Sequence, residues 1–317
     1  MIHAVASGEL LIDFNSVATD SMGYPTLEGH PGGATINCLS VLATYGANTS
    51  FIGKVGDDAF GSMLKKTMTD LKIDISSVVT TPNAFTTLAF VTLDETGDRE
   101  FSFARKPGAD LLLTMDEVDL SVFDKADVYH FGTVAMTENP SRNTTKQLVE
   151  YAKSKGITIS YDPNLRKSLW GSLDDAKEEM LWGLSKADIV KISDEEIDFL
   201  FGLDPQAGAK QIMADYPNIQ LLYATCGAHG SYYYTRKFSG YTPALKISKV
   251  IDTCGAGDIF GGSALFRFLS LGKKAEELTE EDLKDITVFA STAAGLSTAK
   301  HGGISSIPQL SDVLRAM

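Results

Sequence analysis

Short apolar runs alternate with longer segments of helical period along most of this chain. The runs at 49–54, 127–132, 157–161, 188–192 and 220–225 have the length and composition of strands. Between them, residues 141–155 place Leu148, Tyr151 and Ala152 on one helical face, and 174–185 and 195–201 behave similarly. Strands separated by helices imply βαβ units, hence an α/β fold with a mostly parallel sheet flanked by helices. Ligands of such sheets bind beyond the carboxyl ends of the strands. Chemistry is therefore expected in the segments that follow the strands.

One region breaks the alternation. Residues 85–93 and 99–104 read as strands around the turn residues 94–98, which makes a hairpin. With no helix between them and the next run, these strands cannot join a parallel sheet by a crossover. Residues 10–15 are also extended, and 22–31 are turn-rich. These pieces predict a small β appendage inserted from about 10–31 and 84–110, within a single domain spanning 1–317. A plain surface hairpin remains the competing reading at this point. No linker, tandem repeat or low-complexity segment divides the chain.

Charge and cysteine content narrow the function classes. With 28 basic against 41 acidic residues, the net charge is −13, which argues against wrapping a nucleic acid backbone. Any phosphate site must be built locally against that field. No apolar run approaches the ~18 residues of a membrane span, and the first residues read into a strand, so no membrane partner and no signal peptide are expected. Three cysteines, Cys38, Cys226 and Cys254, form no CxxC pair. That argues against a disulfide framework or structural zinc and fits a cytoplasmic location. The five histidines stand singly. P-loop, GxGxxG, HExxH, GxSxG and protein-kinase motifs are absent. The missing GxGxxG weakens a nicotinamide-dependent dehydrogenase.

Three segments carry chemistry. In Asp252-Thr253-Cys254-Gly255-Ala256-Gly257-Asp258, small residues open an apolar helix with Asp258 at its start. The N–H groups of Gly255, Ala256 and Gly257 can converge there on an anion. Asp258 is then either a plain helix cap or a base that takes a proton from a hydroxyl beside the anion. Asp252 is a second carboxylate beside that site, which a bound cation would explain. In Pro31-Gly32-Gly33-Ala34-Thr35-Ile36-Asn37, a glycine pair opens a second helix with Asn37 about one turn inside. Asn37 offers donor and acceptor to a hydroxylated ligand, although ordinary helix entry also accounts for the segment. In Asp162-Pro163-Asn164-Leu165-Arg166, Pro163 stops a strand and leaves Arg166 on a loop, suited to oxyanion capture or to solvent.

Together these segments resemble the ribokinase-like (PfkB) family of sugar and nucleoside kinases. Gly32-Gly33 with Asn37, continuing to residues 51–61, is similar to the family's N-terminal signature, and 252–258 to its DTxGAGD signature. The resemblance covers nearly the whole chain. Within the family, residues 8–14, 103–110, 162–166 and 191–196 resemble the fructokinase branch; 2-keto-3-deoxygluconate kinases share several of these features. The resemblance implies a Rossmann-like core with a β-lid, and phosphoryl transfer from ATP to a sugar hydroxyl, with fructose to fructose 6-phosphate as the leading reaction.

The resemblance also implies roles. Asp258 is the base, and Gly255, Ala256 and Gly257 form the anion hole. Asp13, Gly32, Gly33 and Asn37 hold the sugar, with Arg105 arriving from the lid to report its closure and Arg166 from its loop. Ser193, Thr225, Gly227 and Gly230 lie along the nucleotide. Glu196 helps place hydrated Mg²⁺, and Asp252, the Cys254 carbonyl, Gly302 and Ser306 border a monovalent cation, K⁺ in many relatives. Homodimerisation through the lid is expected, because an unpaired strand edge invites pairing. Some positions depart from the pattern. Ser193 stands where many members have Asn, Ser263 replaces a smaller residue, and bulky Ile36 and Leu39 are expected to reshape the sugar pocket. A non-catalytic sugar-binding protein would not need the intact Asp258 and its glycine-rich turn.

Overall fold

The structure, a computed structural model, describes residues 1–93 and 99–317. β1 (His3–Ser7), β2 (Leu11–Thr19) and β3 (Pro25–Gly32) lead into α1 (Ala34–Thr44), β4 (Asn48–Gly56) and α2 (Ala59–Asp70). β5 (Val78–Thr81), β6 (Thr87–Leu93) and β7 (Arg99–Ala104) follow. Strand and helix then alternate as β8 (Val128–Gly132), α3 (Ser141–Ser154), β9 (Thr158–Asp162), α4 (Leu173–Lys186), β10 (Ile189–Ser193), α5 (Asp194–Phe201), α6 (Pro205–Asp215) and β11 (Leu221–Thr225). The chain ends with the hairpin β12 (Ser231–Thr235) and β13 (Ser239–Thr242), then α7 (Ala256–Ser270), α8 (Glu280–Ser297) and α9 (Leu310–Ala316).

The main sheet runs in the order β13-β12-β11-β10-β9-β8-β1-β4-β5. Every pair from β11 to β5 is parallel, and β12 and β13 add an antiparallel edge. The central strands are apolar on both faces because helices cover both. On one face Phe131, Tyr161 and Ile192 pack with Leu148 of α3, Met180 of α4 and Ile212 of α6. On the other, Ala6 and Phe51 pack with Ile36 and Leu39 of α1, Phe260 of α7 and Ile286 of α8. Ile36 and Leu39 are thus core residues, fully buried. The expectation that they reshape the sugar pocket is corrected: their period faces them into the sheet. Among the described residues no helix is long and apolar enough to cross a membrane.

A second sheet, β3-β2-β6-β7, stands beside the first. β2 leaves from the carboxyl end of β1, and β3 returns directly into α1, so this sheet borders the edge where ligands of an α/β fold bind. β6 and β7 pair antiparallel, as the hairpin reading requires; the turn expected at 94–98 lies outside the described residues. The stretch 22–31 is mostly not turn. Residues 25–32 pair with β2, placing Asp13 opposite His30, and the pairing partner across the ladder overrides the Gly and Pro content. Phe14 anchors the sheet, stacking on Phe90 at 5.5 Å and meeting Phe60 of α2 edge-on at 5.7 Å.

Candidate active site

α7 begins at Gly255, whose φ of 73° is left-handed and suits glycine. Asp258 lies in the first turn, buried, and does not cap its own helix. Its Oδ2 accepts from Asn37 Nδ2 at 2.8 Å and its Oδ1 from Asn164 Nδ2 at 2.9 Å. The capping reading of Asp258 therefore fails, since the carboxylate points away from its own N–H groups toward two carboxamides. Burial raises its pKa; the bond from Asn37, then the charges of Lys191 and Arg166, pull it back. The opposite oxygens, Asn37 Oδ1 and Asn164 Oδ1, are buried without a partner among the described residues. Buried acceptors of this kind call for a donor, and a substrate hydroxyl beside Asp258 would supply one.

α1 reaches the same point from the other side. Gly33 has a φ of 129°, and a Cβ there would collide with the Glu9 carbonyl oxygen. The Glu9 carboxylate accepts from Ala34 N–H at 2.5 Å, which ties the glycine pair to the end of β1 and sets Asn37 one turn further on. Burial pushes the Glu9 carboxyl up to about 7, against the pull of that hydrogen bond. Asp13 packs against Gly32 and is also pushed up to about 7, first by burial and then by Asp258 and Asp252, while Arg166 opposes the rise. The fold thus brings Asp13, Gly32, Gly33, Asn37, Arg166 and Asp258 to one edge.

Arg105 is held by Asp110, Val134 and Thr137. Its Nε donates to Asp110 Oδ2 at 3.0 Å, Nη1 to Thr137 Oγ1 at 3.1 Å and Nη2 to Val134 O at 2.9 Å, and Nη2 pairs again with Asp110. The resemblance implies a lid arginine reaching sugar hydroxyls; here the guanidinium is buried and engaged within the chain. It clamps the root of β7 to residues 110–137, and Asp110 neutralises it.

The nucleotide and metal expectations fall on the same carboxyl edge. Ser193 and Glu196 form a reciprocal cap on α5: Glu196 N–H donates to Ser193 Oγ at 3.2 Å and Ser193 N–H to Glu196 Oε2 at 2.8 Å. Glu196 Oε1 accepts from Leu165 N–H at 2.8 Å. Thr225 ends β11, its hydroxyl 3.4 Å from Ile192 O, and Gly227 and Gly230 hold the following turn with positive φ. No group of three or more metal-type side chains converges among the described residues. Mg²⁺ keeps several waters and binds through one or two carboxylates plus substrate phosphates. Glu196, with both oxygens already accepting backbone N–H, fits that water-mediated mode and not direct coordination. Asp252 Oδ1 accepts from Cys254 N–H at 2.8 Å and Oδ2 from Gly302 N–H at 2.9 Å, and Ser306 Oγ donates to Gly303 O at 2.8 Å. Both Asp252 oxygens already accept N–H, so the carboxylate would supply charge beside a monovalent cation, and direct ligands would have to come from backbone carbonyls such as that of Cys254.

Asn164 and Glu9 carry geometry that motif spacing did not single out, and so do Lys191 and Asp162. Lys191 Nζ lies 3.1 Å from Asp162 Oδ2, both buried. Burial disfavours the Lys191 charge, but Asp162, Glu196 and Asp258 outweigh it and raise its pKa. The signal was present in the Asp162 to Arg166 and Lys191 to Glu196 segments, but sequence alone does not pair them. A larger hollow of about 1100 Å³ opens at the amino ends of the strands, lined by Ile2, Asp127, Ile157, Asp188 and Gln220. It lies at the opposite edge from this cluster.

Residues 1–310 match the profile of the pfkB family carbohydrate kinases. Fructokinase-1 of Zea mays is 39% identical over 313 residues, covering 98% of this chain and 96% of that protein. Fructokinase-1 of Oryza sativa subsp. japonica is 38% identical over 315 residues, covering 99% and 97%. The crystal structure of fructokinase with bound ATP from Xylella fastidiosa superposes with a TM-score of 0.90 at 31% identity, covering 99% of this chain and 97% of that one. Fructokinase from Vibrio cholerae O395 in its fructose, ADP and calcium ion bound form gives 0.89 at 30% identity, covering 100% and 99%. With its Asp258 site at the carboxyl edge of a ribokinase-like sheet, this chain belongs to the PfkB family of carbohydrate kinases.

Proposed function

We propose that this kinase transfers the γ-phosphoryl group of ATP to the 6-hydroxyl of fructose, giving fructose 6-phosphate and ADP. The observation that carries the reading is the Asp258 carboxylate, held between Asn37 and Asn164 at the start of a helix that Gly255 caps without a side-chain acceptor. Asp258 takes the hydroxyl proton as that oxygen attacks the γ-phosphorus. N–H groups of Gly255 and Gly257 would face the transferring oxygens, while the Ala256 N–H donates to Thr253 O at 3.2 Å and closes the turn. Asp13, Asn37 and Arg166 orient the sugar. Phosphoryl transfer asks mainly for this positioning and charge stabilisation. Mg²⁺ when bound neutralises the phosphates, and Glu196 would hold its waters. Ser193, Thr225, Gly227 and Gly230 would line the nucleotide. Asp252, Cys254, Gly302 and Ser306 would border K⁺, as the potassium-bound neighbour from Vibrio cholerae suggests.

A neutral sugar fits better than a sugar acid. The Arg105 charge is neutralised by Asp110, and Glu9, Asp13 and Asp258 surround the pocket with carboxyls. This weighs against 2-keto-3-deoxygluconate, whose carboxylate would have Arg166 alone to set against those carboxyls. The second sheet serves as a lid that excludes water during transfer. Val17, Met22, Tyr24 and Leu27 lie exposed on and beside β2 and β3, and this apolar surface, which a second copy would bury, supports a homodimer through the lid. A sharp monomer in sedimentation at micromolar concentration would refute the dimer.

The function is tested by coupled ADP release with Mg-ATP across fructose, 2-keto-3-deoxygluconate, ribose, glucose and adenosine, with and without K⁺. Fructose is expected to give the highest kcat/KM, with K⁺ stimulating the wild type but not Asp252→Asn. Faster turnover of another acceptor would replace fructose.

A further inference from the structure

We infer that the buried Lys191–Asp162 pair positions Asn164, and through it the Asp258 carboxylate, for proton removal from the sugar. The inference rests on the reading of Asp258 as the base. Lys191 Nζ bridges both Asp162 oxygens, 3.3 Å from Oδ1 and 3.1 Å from Oδ2. Asp162 Oδ1 in turn accepts from Asn164 N–H at 3.2 Å. Asn164 has a φ of 48°, a left-handed conformation uncommon outside glycine. The Asp162 carboxylate therefore closes the turn after Pro163, and that turn aims Asn164 Nδ2 at Asp258 Oδ1, 2.9 Å away. A chain of bonds runs from β10 through β9 and its following loop to α7. Without Lys191, Asp162 would be a buried carboxylate with its countercharge removed, and the turn would lose its anchor.

Lys191 acts through these neighbours and not on the substrate. Its ammonium lies beneath the glycine-rich turn: a Cβ on Gly257 would come within 3.2 Å of Nζ. The void it shares with Cys38, His130, Ser160 and Tyr223 measures about 10 Å³, room for one water at most. Asp162, Glu196, Asp258, Cys38 and His130 are the titratable groups that sense its charge. That charge also sits below the start of α7, where it reinforces the positive end of the helix dipole facing the transferring phosphoryl. The two segments 162–166 and 191–196 thus form one device joined by an ion pair.

The test measures Lys191→Met, Lys191→Arg and Asp162→Leu/Lys191→Met beside Asp258→Asn, with Mg-ATP and fructose. Rates are taken per sugar-binding site, counted by calorimetry, so that a loss of folded protein does not register. Lys191→Met is expected to lower kcat on the order of 10²-fold while both KM values move less than about threefold. Lys191→Arg, which keeps the charge, is expected to recover part of kcat. The apolar double variant removes both charges without stranding either; it is expected to fold and to remain slow, because Asn164 is still unanchored. Wild-type kcat per site in the double variant, or in Lys191→Met, would overturn the inference. Wild-type kcat in Asp258→Asn would instead overturn the reading of the base on which it rests.

Discussion

Two glycine-led helices meet at the site, and their first N–H groups are taken differently. α1 starts at Gly33, and its first N–H, that of Ala34, is taken by the Glu9 carboxylate. α7 starts at Gly255 with no side-chain acceptor from its cap. A helix N-terminus carries roughly half a positive charge. At α1 the Glu9 carboxylate takes the first N–H, whereas at α7 the Ala256 N–H goes to Thr253 O, the Asp258 carboxylate shares the first turn, and the N–H groups of Gly255 and Gly257 are the ones that could meet an anion. The two ends are tied by the Asn37–Asp258 bond. The comparison teaches a division of labour: a glycine pair opening a helix is not in itself a phosphate site. On the proposed function, the α1 end would meet neutral hydroxyls and the α7 end the phosphoryl group.

The sharpest way to break this division is Asp258→Asn, which keeps the Asn37 contact and removes the base. It should lower kcat by about 10²–10⁴-fold with little change in sugar KM, measured by coupled ADP release. A rise in sugar KM at constant kcat would place Asp258 on the binding side instead. Next in size is Gly255→Ala. The left-handed φ and a Cβ 2.8 Å from Gly303 Cα force the turn to shift. If the α7 end holds the phosphoryl, kcat should fall by roughly 10²-fold while fructose affinity, read by calorimetry, holds.

The pH profile follows. Asp13 and Glu9 sit near 7, so lowering the pH through that region protonates two acceptors on the sugar side of the site, and burial shifts Asp258 in the same direction. The sugar kcat/KM should fall with acidification by about tenfold or more per unit below neutrality, and a flat profile down to pH 5 would contradict the assignment. The smallest effect belongs to Glu9→Ala. Loss of the cap should cost about 1 kcal/mol of stability, seen as a lower urea midpoint at unchanged slope. Sugar KM should rise while ATP KM holds, and Glu9→Gln, which keeps an acceptor, should lose less. An effect of Glu9→Ala on ATP KM alone would erase the distinction between the two helix ends.

Much of the fold was legible beforehand. Hydrophobic period and turn residues located β4, β8, β9, β10 and β11 and α3, α4 and α5 to within a few residues. The hairpin of β6 and β7 was readable from its lack of an intervening helix. β3 was not, because its Gly and Pro content reads as turn and only the ladder with β2 makes it a strand. The short edge strands β12 and β13 also went unread; their pairing is tertiary.

For the site, residue order alone placed the two glycine-led turns and Asp258 at helix starts and the Asp-Pro-Asn segment at a strand end, because backbone conformation and helix starts are local properties; the resemblance is what grouped them. Tertiary structure decided which partners those groups take. It turned Arg105 inward onto Asp110, gave Glu196 to the backbone of Ser193 and Leu165, and set Glu9 on the start of α1. It also brought Asn37 and Asn164 onto the two oxygens of Asp258 and joined Lys191 to Asp162. A buried charge or carboxamide must find its partner wherever the packed chain supplies one. That partner here lies dozens to hundreds of residues away, beyond the reach of any spacing rule.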